Sequence, residues 1–250
     1  MSTRIEGPMI RAIRGLPTQF LAGWRAAGPV KATMPKNRHI IIAGMGGSAF
    51  PGDILRALLV NSSMRVTISR AYTLPNSADV SEALVIVSSY SGRTEETLSS
   101  LRDCIARGLQ TVVVSGNSEL VQNENAHGRL GVVLPTPFEG FQPRAAYGLF
   151  LGAFLRILEN AGLTCVDGMP IRDLLGECEQ YLTALDDVEG RALEIANRLG
   201  DHMPVFCAPY PYGEAIARIC KIKINENVKR PAYWGEIPEF NHNEMVGLTR

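Results

Sequence analysis

Ala83-Leu-Val-Ile-Val-Ser-Ser-Tyr-Ser-Gly-Arg-Thr-Glu-Glu-Thr-Leu98 is an apolar run that passes through a hydroxyl- and glycine-bearing loop into a helical pattern. Residues 83–88 are apolar on both faces, which marks a strand covered on both sides, and residues 94–107 continue with helical spacing. The same grammar appears upstream. His39-Ile-Ile-Ile-Ala43 runs directly into Gly44-Met-Gly-Gly-Ser-Ala49, and a helix is expected over residues 51–60. Further strands are expected at 65–69, 111–115 and 131–134, with a short helix near 118–125. Buried strands alternating with helices predict an α/β fold, a doubly wound five-stranded parallel sheet.

Working outward, residues 7–27 have the pattern of one amphipathic helix, weakened by Gly15 and Pro17. Pro135, Pro137 and Pro143 punctuate the stretch after the last strand, and a helix over 144–161 then leads out of a first domain set at residues 1–160. Residues 171–199 read as one or two helices, with Gly190 a candidate break. A strand at 204–208 and a helix over 212–228 begin a second α/β unit, residues 161–250. Residues 233–244 read as a polar, aromatic segment. One strand cannot make a sheet, so this second unit is expected to be incomplete.

Composition narrows the class. Formal net charge is zero, which gives no support to a nucleic-acid or membrane-surface partner. Residues 1–150 carry 15 Lys/Arg against 10 Asp/Glu, a bias that suits an anionic ligand and is equally small enough to be chance. Cys104, Cys165, Cys178, Cys207 and Cys220 are scattered and odd in number, never in a C-x-x-C pair. That spacing argues against a disulfide scaffold or a metal site and for a reducing, cytoplasmic location. The N-terminal residues, interrupted by Arg4, Glu6, Arg11 and Arg14, contain no signal-peptide core, and no apolar run is long enough to span a bilayer.

Two loops are candidate anion sites. Gly44-Met-Gly46-Gly47-Ser48 follows a strand and opens a helix, where free N–H groups and the helix dipole favour negative charge. The same residues fit the G-x-G-x-x-A form of a dinucleotide fold, which calls for an acid at the end of the second strand. Ser69, Arg70 and Ala71 stand there, so only a version in which Arg70 meets an NADP 2′-phosphate survives. The later loop offers Ser89, Ser91 and Thr94 around one helix start, with Gly92 for a tight turn. Neutral donors of this kind suit a phosphate. Helix capping by Ser91 or Thr94 is the plainer alternative, and it accounts for one hydroxyl rather than three.

These motifs resemble the sugar isomerase (SIS) domain, and later segments narrow the resemblance. Gln142-Pro-Arg-Ala-Ala146, Asn225-Glu-Asn227 and Pro238-Glu-Phe-Asn-His-Asn243 are similar to the bifunctional phosphoglucose/phosphomannose isomerase family. The resemblance implies an aldose–ketose isomerase that converts glucose 6-phosphate, with mannose 6-phosphate a further substrate, into fructose 6-phosphate through a cis-enediol, without cofactor or metal. Gly47 and Ser48 would contact the substrate, and Ser89, Ser91 and Thr94 would bind its phosphate. Arg144 would stabilise the enediolate. Glu226 would move the carbon-bound proton, and His242, contributed across a homodimer interface, would open the ring.

The residue types fit those tasks. Isomerisation needs a carboxylate base and a group titrating near neutrality. Glu226, at the end of an apolar helix between two asparagines, is expected to be partly desolvated. Among His39, His127, His202 and His242, only the last lies in a segment poor in core residues. Family members run on past the position matching Arg250 and place there a late lysine of the ring-opening step, so the present chain is expected to lack part of the machinery. A non-catalytic phosphosugar-binding protein is the alternative; the 37 residues before the first strand are too few and too neutral for the DNA-binding module that such sensors carry. An NADP-dependent oxidoreductase is a third.

Overall fold

Ile40, Ile41 and Ile42 have no exposed surface, because the strand that holds them lies inside a parallel sheet covered on both faces. The structure, a computed structural model, describes residues 6–185 and 187–248. Arg4 and Arg250 lie outside the described residues. Helices α1 (Pro8–Arg14) and α2 (Leu16–Ala26) precede β1 (His39–Gly44). There follow α3 (Gly46–Leu58), β2 (Arg65–Ser69), β3 (Leu84–Ser88), α4 (Glu95–Ala106), β4 (Gln110–Ser115), α5 (Ser118–Ala126), β5 (Leu130–Val133) and α6 (Tyr147–Asn160). A short antiparallel pair, β6 (Cys165–Val166) and β7 (Met169–Pro170), leads into α7 (Ile171–Thr183).

The five long strands are parallel in the order β2-β1-β3-β4-β5. Successive side chains of a strand face opposite ways, and the core divides accordingly. Ile40, Ile42, Leu84, Ile86, Val112 and Val114 join the face packed by α2, α3 and α6. Ile41, Ala43, Val85, Val87 and Val113 join the face that carries Leu101, Cys104 and Val121 of α4 and α5. The winding direction reverses between β1 and β3, and at such a switch point the loops beyond the strand ends splay apart and leave a crevice. Gly44 pairs with Ser88 there, so both candidate loops leave the sheet side by side.

By contact the chain clusters into two units that meet between Thr183 and Ala184, whereas the sequence sets its boundary at residue 160. The second unit holds α8 (Val188–Leu199), β8 (Val205–Pro209), α9 (Tyr212–Lys223), a π-helical turn Ile224–Val228, β9 (Tyr233–Ile237), α10 (Glu239–His242) and α11 (Glu244–Leu248). Strands β8 and β9 are parallel, in register from Val205 opposite Tyr233 to Pro209 opposite Ile237, with α9 as their crossover. Gly213, Ala215 and Ala217 are buried on α9, and an added Cβ at Gly213 would lie 2.5 Å from Ala208 Cβ. The unit is thus one βαβ motif with small residues at the helix–strand contact.

Several expectations need correction. The first helix breaks at Gly15, and Pro17 sits in the opening turn of α2, where its missing N–H costs nothing. Helix α3 starts at Gly46, five residues before the expected start, and takes Pro51 inside. The φ of +44° at Gly46 lets the chain turn into the helix at once. The break in residues 171–199 precedes α8 rather than falling at Gly190. That glycine lies in the first turn of α8, where its N–H bonds the cap carboxylate of Asp187 at 3.2 Å. The segment 233–244 hides a strand, β9 (Tyr233–Ile237), because Gly235 and Glu236 interrupt its apolar residues and Ile237 is its one aliphatic side chain.

One buried polar residue makes stability depend on pH. His39 is 3% exposed, its Nε2 is 2.9 Å from Thr67 Oγ1, and Arg65 donates to its Nδ1 at 2.7 Å. A guanidinium has no acceptor, so in this bond Nδ1 accepts and the ring is neutral; Asp79 Oδ2, 3.4 Å from Nδ1, is ion-paired with the same Arg65. Burial, and then the Arg65 charge, lower its pKa from 6.5 to about 4. Between those values the unfolded chain binds the proton and the folded chain does not, so stability falls as pH falls through that window. Urea melts at pH 7 and near pH 4.5 should show a steeper acid loss in the wild type than in His39→Gln, by roughly 1–3 kcal/mol. Equal pH slopes would remove His39 as the cause.

Candidate active site

The loop between β3 and α4 is held by its own hydroxyls. Ser89 is buried, Thr94 half-buried and Ser91 exposed. Ser89 Oγ accepts the Gly92 N–H at 3.1 Å and lies 3.2 Å from Thr94 Oγ1. Ser91 Oγ accepts the Arg93 N–H at 3.3 Å. Gly92 has φ +64°, which a side chain would strain. Thr94 is the N-cap residue of α4, yet its side chain makes no capping bond. Capping therefore does not explain these hydroxyls. The first-turn N–H groups of α4 point out of the helix end, and the dipole favours an anion there.

A hydroxyl that accepts from an N–H keeps its own proton to give. Ser91 retains one such donor. In the Ser89–Thr94 pair one hydroxyl donates to the other, and the second keeps its proton to give. These neutral donors, set beside a helix N-terminus, can bind a phosphate without a buried counter-charge competing for it.

The first loop packs against this one. Ser48 Oγ accepts the Tyr90 N–H at 3.2 Å, and the buried Ser88 hydroxyl donates to the Ser48 carbonyl at 2.9 Å. A Cβ on Gly44 would lie 2.6 Å from Ser88 Oγ, so the crossing of the two loops needs glycine there. Arg144 lies in the 3₁₀ turn Pro143–Ala145 that precedes α6, half-buried, with Nη2 donating to Gln142 Oε1 at 3.3 Å. Its Cα would be 3.0 Å from a Cβ on Gly47. The structure therefore brings Gly47, Ser48, Ser89, Ser91, Thr94 and Arg144 together beyond the ends of β1 and β3.

The pairing of Arg70 disfavours the dinucleotide alternative. Arg70, the candidate for a 2′-phosphate, is ion-paired with Asp53, which is 1% exposed. Sequence reasoning missed the residues that brace the loops. Ser88 ties one to the other. Ser115 donates to the Ser89 carbonyl at 2.6 Å, Asn117 reaches the Ser91 carbonyl at 3.3 Å, and the Tyr90 hydroxyl donates to the Pro135 carbonyl at 3.2 Å. The one signal available for them was Ser115-Gly-Asn117, a third small polar loop at a strand end.

Glu226 and His242 belong to the second unit. Glu226 lies in the π-helical turn that ends at Lys229, whose φ is +61°. Asn225 Nδ2 closes that turn on the Arg230 carbonyl at 2.7 Å. Glu226 Oε2 is shut off from solvent and has no hydrogen-bond partner among the described residues. His242, at the end of α10, is exposed, and so is Glu239, while Glu236 in β9 is half-buried. Among the described residues no group of three or more His, Cys, Asp and Glu could hold a metal ion, and no helix is long and apolar enough to cross a membrane.

Comparison with known proteins bears on both units. Residues 188–250 match the family described as the bacterial phospho-glucose isomerase C-terminal SIS domain. A bifunctional phosphoglucose/phosphomannose isomerase of Caldicellulosiruptor bescii is 30% identical over 250 residues, covering 96% of this chain and 71% of that protein. One from Aquifex aeolicus is 34% identical over 214 residues, covering 85% of this chain and 62% of that protein. The chain thus spans 71% and 62% of the lengths of these two curated relatives. Among solved structures, a candidate phosphosugar isomerase from Clostridium difficile 630 superposes with a TM-score of 0.73 at 15% identity, covering 96% of this chain and 72% of that one. That likeness carries the fold, which is of the SIS type expected from the sequence.

Proposed function

This chain belongs to the bifunctional phosphoglucose/phosphomannose isomerase family, and from that membership we propose that it interconverts glucose 6-phosphate and mannose 6-phosphate with fructose 6-phosphate. The observation that carries the proposal is the Ser89–Ser91–Thr94 loop, whose hydroxyls make no capping bond to α4 and stand at its N-terminus, where a phosphate would sit. Phosphate held there would anchor one end of an open-chain hexose. Arg144, a fixed cation, would stabilise the enediolate formed at C1–C2. Glu226 would take the proton from C2 of the aldose and return it to C1, while a proton passes from O2 to O1. His242 would shuttle the ring-oxygen proton that opens the pyranose. The protein would act in the cytoplasm, in glycolysis and gluconeogenesis, as a homodimer in which each His242 serves the partner's site.

Two measurements test this. Calorimetry should find that fructose 6-phosphate binds and that fructose and NADPH do not. Ser89→Ala should weaken the sugar phosphate by about tenfold, the loss of one charge-assisted hydrogen bond. A coupled assay should then detect turnover from fructose 6-phosphate. Binding without turnover would favour the non-catalytic phosphosugar binder, and equal affinity for fructose and its phosphate would overturn the whole reading.

A further inference from the structure

We infer that Asn117 is a positioning residue for the phosphate loop, setting the geometry of the β3–α4 turn from the neighbouring β4–α5 connection. The inference rests on the phosphosugar reading of that turn and names a residue outside the motifs that suggested it.

The peptide between Ser91 and Gly92 is held on both sides. On its N–H side it is held by Ser89, because the Gly92 N–H reaches both the carbonyl and the Oγ of Ser89 at 3.1 Å. On its carbonyl side it is held by Asn117, whose Nδ2 donates to the Ser91 oxygen at 3.3 Å. Gly92 itself supplies no restraint, since at φ +64° it has no side chain to fix the plane. Rotation of that peptide would swing the Ser91 carbonyl, a negative dipole end, towards the anion and take the Ser91 hydroxyl away. On the carbonyl side the restraint comes from outside the loop, from Asn117.

Asn117 is itself held in three ways. Its Oδ1 accepts the Leu120 N–H at 3.1 Å and so caps α5. Its own N–H bonds Ser115 Oγ at 3.0 Å, and that hydroxyl donates to the Ser89 carbonyl at 2.6 Å. Finally, a Cβ on Gly92 would lie 2.6 Å from Asn117 Cβ, so the glycine and the amide side chain are in direct contact. An amide with one end committed to a helix cap leaves the other end aimed at a fixed point. Here that point is the Ser91 carbonyl.

Capping alone would give Asn117 an ordinary structural role, so the test separates the cap from the brace. Serine and aspartate are both good N-caps, and neither has the Nδ2 donor. Asn117→Ser and Asn117→Asp should therefore melt close to the wild type and bind fructose 6-phosphate about tenfold more weakly, as expected for one lost hydrogen bond in the loop. Inorganic phosphate should weaken in parallel, and in turnover KM should rise while kcat is retained. If the serine variant binds as the wild type does, the inference is wrong, and a loss confined to the aspartate variant means charge repulsion only. A large drop in melting temperature in both variants would make Asn117 a structural cap and overturn the proposal. Failure of the wild type to bind either ligand would instead refute the phosphosugar reading, and it would be seen before any variant is made.

Discussion

Gly152→Val should destabilise the first unit by about 3–5 kcal/mol, close to the whole stability of many domains. The reason is where α2 and α6 touch. A Cβ added at Gly152 would lie 2.0 Å from the Phe20 carbonyl oxygen and 2.9 Å from the Trp24 nitrogen. On the facing helix, a Cβ at Gly23 would lie 1.9 Å from the Leu149 carbonyl oxygen. Each glycine is thus the contact point for the other helix's backbone, and backbone cannot swing aside as a side chain can. Any larger residue must push the helices apart, and the buried Phe20, Phe150 and Phe154 would lose their packing partners.

Helical glycine normally lowers stability relative to alanine, so the sign of this effect identifies the cause. Gly176, within α7, has nothing within 4 Å of an added Cβ. Gly176→Ala should stabilise by roughly 0.5–1 kcal/mol, in the opposite direction. Urea melts of the two variants beside the wild type decide the point. A Gly152→Ala or Gly152→Val protein as stable as the wild type would show that the helices are not in this contact.

The sheet was legible because its strands are short apolar runs with no competing pattern. Residues 39–44 and 84–88 are buried at every position, so neither has an alternation to misread. The hydroxyl-bearing loop after β3 stood out for a related reason: three hydroxyls and a glycine exceed what one helix cap requires. What stayed hidden depends on contacts distant in sequence. Asn117 and Ser115 act on a loop some 25 residues away, and nothing in their local sequence names that target. Strand β9 pairs with β8 across α9, and its composition resembles a loop because Glu236 and Gly235 interrupt its aromatics. The start of α3 was misplaced since a run of glycines ordinarily ends helices; the positive φ of Gly46 here begins one. In Glu226 the sequence supplied the residue type and its motif, but the π-helical turn that presents it required the backbone.

Glu226→Gln should lower kcat by about 10²–10⁴-fold and leave the affinity for fructose 6-phosphate near that of the wild type. Glutamine keeps the shape and length of the side chain, so the π-helical turn and the bond from Asn225 to the Arg230 carbonyl have no reason to change. It removes only the ability to take a proton. The phosphate loop lies in the other unit, on β3 and α4, and its hydroxyls are untouched by the substitution. Oε2 of Glu226, hidden from water and without a partner among the described residues, is the lone pair that the proposed chemistry would use. Substrate exchange gives an independent check. In heavy water the wild type should wash deuterium into C1 of fructose 6-phosphate, and Glu226→Gln should not, even where binding is saturated. Exchange at equal rates in both proteins would place the base elsewhere and leave Glu226 as a helix-end carboxylate with no part in the reaction.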